Sequence, residues 1–191
     1  MIDFSEYIRS IPDFPEKGVV FKDITPLLGD AKVFRAVIDV FVEEYRDRNI
    51  DMIAGIDARG FILGSALAYQ LGVGFVPIRK SGKLPYKTYE ASYQLEYGSG
   101  STLAIHQDAF SKGSRVVICD DVIATGGTLA ATISLVEKLG ADLVGIAVLI
   151  ELVFLNGREK FIHENIKELG AMCCWTWIIL IQMVLIQDLS N

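Results

Sequence analysis

Residues 116–128 read VVICDDVIATGGT: an apolar segment runs into Asp120 and Asp121 and then into Ala124, Thr125, Gly126, Gly127 and Thr128. Adjacent carboxylates repel each other, and paired glycines cost backbone entropy, so a ligand is the natural source of compensation. Two glycines let the chain turn its N–H groups inward, and a helix N-terminus behind such a nest favours an anion. Thr125 and Thr128 add hydroxyl donors. The alternative is an ordinary strand-to-helix turn with a threonine cap. The segment is neither a Walker A loop nor a dinucleotide fingerprint, because Gly-Lys-Ser/Thr and G-x-G-x-x-G are both missing. The acid pair favours a ligand with hydroxyls as well as a phosphate. A ribose 5-phosphate fits, with its phosphate in the nest and its 2- and 3-hydroxyls on Asp120 and Asp121. Magnesium fits too, since it takes few carboxylates and draws its other oxygens from ligand phosphates and water.

Three apolar segments end in charge: residues 52–56 lead to Asp57 and Arg59, 74–78 to Arg79 and Lys80, and 115–119 to the acid pair. In an open α/β sheet, ligands bind beyond the carboxyl ends of the strands. Residues 31–48 and 61–71 show helical spacing, and the latter stops at Gly72. Residues 129–139 form a further helix, and 143–150 a last clear strand. Strands alternating with helices predict an α/β fold with a mostly parallel, twisted sheet flanked by helices. Residues 3–9 read as a short helix, 12–30 as loop, 81–87 as an exposed loop, and 89–97 with 101–107 as a hairpin around Gly98-Ser99-Gly100. Side chains alternate along a strand, so two adjacent acids facing one ligand predict a strand ending at or just before Asp120.

The chain of 191 residues suits one domain. Half of it is hydrophobic and the net charge is −6, which argues against disorder and against general nucleic-acid binding. Three cysteines without metal or disulfide spacing favour a reducing compartment, and the N-terminus lacks a signal-peptide pattern; the expected location is cytoplasmic. Residues 169–187 carry no charge and approach the length of a membrane span. Gly170, Thr176, Gln182 and Gln187 interrupt the run and no basic cluster flanks it, so a buried terminal element or subunit contact is expected rather than a membrane anchor.

VVICDDVIATGGT resembles the phosphoribosyl-pyrophosphate (PRPP) motif of type I phosphoribosyltransferases. FPEKGVVFKDITPLL resembles the base-covering hood of the adenine branch of that family, AGIDARGFILG its pyrophosphate loop, and RKSGKLPYKTYEASYQLEYGSG its flexible catalytic hairpin. The likeness covers about residues 3–160. It implies one domain over 1–160 with a hood over about 1–30, followed by an atypical apolar tail at 161–191. It implies transfer of a phosphoribosyl group from PRPP to adenine, giving AMP and pyrophosphate, with magnesium and as a homodimer.

The resemblance also implies roles. Glu96 is the general acid/base near adenine N7, with Tyr97 closing the loop. Arg59 leads on pyrophosphate, helped by Arg79, Lys80 and Lys83. Val20 reads the adenine edge through its main chain, Phe21 and Ile123 contact the ring, and Lys22 stands where the family often has arginine. Magnesium is held mainly through PRPP, with Asp120 or Asp121 as a protein ligand. The competing readings are a 6-oxopurine phosphoribosyltransferase, which the hood sequence disfavours, and a PRPP-sensing regulator without catalysis. Known regulators of that kind add a DNA-binding domain, and this chain shows no helix-turn-helix module or basic surface.

Overall fold

The structure, a computed structural model, describes residues 2–93 and 100–160 together with the backbone of residues 181–182. After a 3-10 turn at Phe4–Tyr7, strand β1 (Arg9–Pro12) pairs antiparallel with β2 (Val20–Asp23). This small sheet is the hood. The sequence reading expected helix and loop here. The strands are invisible to it because each has four residues and their partners are separated by a turn containing Pro15.

Helix α1 (Thr25–Gly29) leads to α2 (Ala31–Tyr45), whose first turn is capped by the Asp30 carboxylate accepting from the Lys32 and Val33 amides. Helix α2 buries Val33, Val37, Ile38, Phe41 and Tyr45, the spacing of one apolar face. Strand β3 (Met52–Ile56) follows, then α3 (Arg59–Leu71), ended by Gly72 in the left-handed region at φ 69°. Next come β4 (Gly74–Lys80) and the hairpin of β5 (Thr88–Tyr93) and β6 (Ser101–His106). Strand β7 (Arg115–Ile123), helix α4 (Gly127–Lys138), β8 (Asp142–Glu151), a 3-10 turn at Val153–Leu155 and the two-residue β9 (Ile181–Gln182) follow.

The strands form a sheet of order β5-β6-β4-β3-β7-β8-β9. Pairings among β4, β3, β7, β8 and β9 are parallel, and only β6 against β4 and β5 is antiparallel. One face packs on α4 through residues such as Ile118, Ile133, Leu135 and Val148. The other packs on α1, α2 and α3 through Ile53, Leu63, Leu67, Val117 and Phe41. Two covered faces explain why β3 and β7 read as unbroken apolar runs. The expected α/β architecture is the one observed.

One expectation is corrected. Strand β7 does not end at Asp120; it continues to Ile123. Its pairing with β3 stops at Cys119, whereas its pairing with β8 runs on through Asp120↔Val148 and Val122↔Ile150 to Ile123↔Glu151. Residues 120–123 thus keep one neighbour for their backbone groups and lose the other. The cavity opens on the side that β3 has left. Of the tail, only residues 181–182 are described, parallel to the end of β8. No helix among the described residues is long and apolar enough to cross a membrane.

Candidate active site

A cavity of about 600 Å³ opens at the carboxyl ends of β3 and β7. Its floor comes from the end of β7 and the start of α4, its roof from the hood, and its flank from the start of α3. Asp120 and Asp121, Ile123, residues 124–128, Arg59, Lys80 and the hood residues Val20, Phe21 and Lys22 all line it.

Helix α4 begins at an N-cap of Gly126, with φ 78°, and no side chain caps it. This removes the threonine-cap alternative. Among the described residues, no turn or cap hydrogen bond uses the amides of Thr125, Gly126, Gly127 or Thr128. Unpaired amides at the positive end of a helix dipole favour an anion. A β-carbon at Gly126 would strike the carbonyl of Gly157, so both the left-handed turn and the close packing require glycine.

Asp120 and Asp121 are 7% and 4% exposed. Asp120 Oδ1 accepts the Asp121 amide at 2.9 Å. Burial and the neighbouring carboxylate push Asp120 well above the usual carboxylate range. Burial also raises Asp121, against the opposing pull of Arg59. Arg59 Nε lies 2.9 Å from Asp121 Oδ2, an ion-pair contact; the geometry is not that of a hydrogen bond, and Oδ2 is a buried acceptor without a donor. An acid pair with one cation and one unserved oxygen is prepared for hydroxyl donors or a divalent cation. Among the described residues, no group of three or more His, Cys, Asp or Glu could hold a metal by itself. A cation here would take most of its oxygens from a ligand and water.

Arg59 reaches the acids because Gly60 lets α3 start against β7; a β-carbon there would meet the Cys119 carbonyl and Asp120. The same guanidinium stands 4.9 Å over the Phe21 ring and donates from NH1 to the Lys22 carbonyl at 3.5 Å. Lys22 is 6% exposed and its Nζ donates to Ser10 Oγ at 2.8 Å. Burial holds its ammonium below the usual lysine range. In the hood, Arg9 also pairs with Asp23 at 2.9 Å.

Arg79 and Lys83 do not line the cavity. Adjacent residues of a strand face opposite sides, so β4 sends Lys80 to the cavity and Arg79 away from it. Arg79 instead bonds Asp57 Oδ2 at 3.1 Å and the Lys83 carbonyl at 3.1 Å. Glu96 and Tyr97 lie outside the described residues. Tyr93, from the hairpin, lines the cavity; the sequence reading misses Leu152 and Phe154, which line it too. No motif marks them. Leu152 follows Glu151, which is in register with Ile123, and its amide bonds the Ile123 carbonyl at 2.8 Å. Only the long-range strand pairing carries that signal.

A mostly parallel sheet with an acid pair and an uncapped helix at one strand end defines an α/β protein whose site suits a sugar phosphate. The sequence pattern of the phosphoribosyl transferase domain matches residues 27–171. Adenine phosphoribosyltransferase of Syntrophotalea carbinolica is 58% identical over 169 residues, 88% of this chain and 98% of that protein. The crystal structure of adenine phosphoribosyltransferase from Rhodothermus marinus matches with a TM-score of 0.82 at 46% identity, over 95% of this chain and 96% of that one. The Saccharomyces cerevisiae enzyme, complexed with an iminoaltritol bisphosphate and adenine, matches with a TM-score of 0.78 at 42% identity, over 82% of this chain and 91% of that one. The chain belongs to the phosphoribosyltransferase family.

Proposed function

We propose that the protein is a purine-salvage enzyme that transfers the 5-phosphoribosyl group of PRPP to adenine, releasing AMP and pyrophosphate. The observation that carries this is one cavity holding free helix-start amides, an underserved acid pair and a separate aromatic hood. A phosphate, a ribose and a planar base need those three surfaces in that order. The adenine phosphoribosyltransferases similar to this chain support adenine as the base.

The 5-phosphate takes the amides of residues 125–128 and the hydroxyls of Thr125 and Thr128, with Ala124 at the turn's entry. The ribose hydroxyls donate to Asp120 and Asp121, filling the unserved oxygen. Arg59 and Lys80 neutralise charge on the departing pyrophosphate, which lowers the barrier to an oxocarbenium-like transition state. Arg79 orients Asp57 from behind, and Lys83 acts through its backbone contact with Arg79. Adenine lies under the hood between Phe21 and Ile123, its edge read by the Val20 main chain. A 6-oxopurine would set its carbonyl against an acceptor there. Lys22 closes the hood through Ser10. Glu96 exchanges the proton at the base nitrogen. Magnesium, when bound with PRPP, supplies positive charge to the pyrophosphate, with Asp120 or Asp121 as its protein ligand. The working form is a cytoplasmic homodimer whose substrates are small molecules, with no nucleic acid or membrane partner.

Turnover with PRPP, magnesium and each purine in turn tests this. Adenine should be consumed far faster than hypoxanthine or guanine, and Glu96→Ala and Asp121→Asn should each slow AMP formation by at least ~10²-fold. Preference for a 6-oxopurine would overturn the hood assignment. PRPP binding without turnover of any base would turn the enzyme into a sensor.

A further inference from the structure

Beside the phosphate cradle lies an ion pair, its carboxylate buried and its guanidinium partly exposed, to which no catalytic role falls. Glu151, the last residue of β8, is 5% exposed. Its Oε1 accepts from Arg158 Nε at 2.7 Å and its Oε2 lies 2.6 Å from Arg158 NH2. A two-pronged contact of this kind fixes orientation as well as distance. Burying a carboxylate at a strand end is costly, and an apolar pair would serve stability as well. The pair therefore needs a reason other than stability.

The geometry of residues 151–158 supplies one. The ion pair closes this segment into a loop. Within it, Leu152 bonds the Ile123 carbonyl, Val153–Leu155 form a 3-10 turn, and Asn156 reverses the chain in the left-handed region at φ 50°. Two features of the loop face the active site. Leu152 and Phe154 line the cavity, although Phe154 is 59% exposed. Gly157, one residue before Arg158, packs on the back of the cradle; a β-carbon on it would run into the Ala124 carbonyl and sit 2.9 Å from the Gly126 amide nitrogen. The loop thus touches the base wall with one end and the phosphate nest with the other.

We infer that Glu151 and Arg158 are positioning residues: their ion pair clasps the 151–158 loop so that Leu152 and Phe154 form the second wall of the base subsite while Gly157 fixes the phosphate cradle. The inference rests on the subsite assignment above. It makes one contact, itself outside the cavity lining, govern both ligands. Loosening the clasp should weaken adenine and PRPP together, whereas a change confined to the wall should weaken adenine alone.

The test is steady-state kinetics on the full-length chain, with thermal melts alongside. Arg158→Ala should raise KM for adenine and for PRPP together, each by about 10-fold, a decade below the ~10²-fold loss expected of a full 1 Å misplacement. Arg158→Lys should restore part of both. Phe154→Ala should raise the adenine KM only. Gly157→Ala, whose β-carbon presses directly on the cradle, should raise the PRPP KM more than the adenine KM. If Arg158→Ala does not fold, Glu151→Gln decides the matter, because it leaves the half-exposed arginine rather than a buried carboxylate unpaired. A variant that melts lower but keeps both KM values within about twofold would reduce the clasp to a structural brace. Asp121→Asn is run in parallel: if it too leaves turnover intact, the subsite assignment has failed, and if it alone slows turnover, only the clasp has.

Discussion

The floor and the roof of the cavity are built differently. The floor is the end of β7, the 124–128 turn and the start of α4, continuous with a sheet covered on both faces. The roof is a two-stranded hood of four-residue strands, tied down by a few side-chain contacts: Lys22 to Ser10, Arg9 to Asp23 and Thr25, and Arg59 to the Lys22 carbonyl and the Phe21 ring. The floor stores unfavourable electrostatics, two buried carboxylates against one guanidinium, and the core around it can hold them in place. The roof stores little. Val20 remains 40% exposed. A rigid floor suits a ligand recognised by phosphate and hydroxyls, and a lightly tied roof suits a planar base that must enter and leave.

Arg59 belongs to both regions, so its loss should have the largest effect. Arg59→Ala should lower kcat/KM by about 10²–10³-fold, the scale for one donor aimed at developing charge. Substrate-dependence measurements would check it; a loss under about tenfold would separate the hood from the chemistry. Next comes a change confined to the floor. Gly126→Ala places a β-carbon at φ 78° and against the Gly157 carbonyl. It should destabilise the fold by about 1–3 kcal/mol and raise the PRPP KM more than the adenine KM. Denaturant melts and kinetics read the two effects separately.

The third prediction sets stability against function within the floor. The folded Asp120 carboxyl is raised above its unfolded value by burial and by Asp121. The native state therefore holds a proton that the unfolded chain has released. That contribution to stability is complete below the ordinary carboxylate range and is lost as pH rises toward the raised value. Asp120→Asn keeps an oxygen for the Asp121 amide and removes the charge. The ligand-free variant should be more stable than the parent at neutral pH, each kcal/mol showing as about 2–4 °C in Tm for a chain of this size. The gain should shrink in acid, and transfer should slow. An unchanged melt across pH would mean that the acids carry no electrostatic strain. The smallest effect is confined to the roof. Ser10→Ala leaves the buried Lys22 ammonium without its hydroxyl partner and should raise the adenine KM by about 3–5-fold, while the PRPP KM stays put.

The same contrast explains what the sequence made legible. The floor is encoded locally: VVICDDVIATGGT places acids, glycines and threonines within thirteen residues, and its role follows from residue types. Gly72 marks the end of α3 for the same reason. The roof depends on pairing across a proline-containing turn, and short strands there read as loop. Strand β7 outran its expected end because its support comes from β8, which the local pattern does not reveal. Sequence adjacency groups Arg79 with Lys80, and strand alternation separates them. Leu152, Phe154 and the Glu151–Arg158 pair reach the site through the register of β8 and have no signature of their own.

The most direct test of the central claim, that helix-start amides and an acid pair together grip a ribose phosphate beneath the hood, is a crystal structure of the protein with AMP. The account predicts the phosphate on the amides of residues 125–128, both ribose hydroxyls on Asp120 and Asp121, and adenine between Phe21 and Ile123. A nucleotide bound with its phosphate elsewhere, or with its base outside the hood, would contradict it.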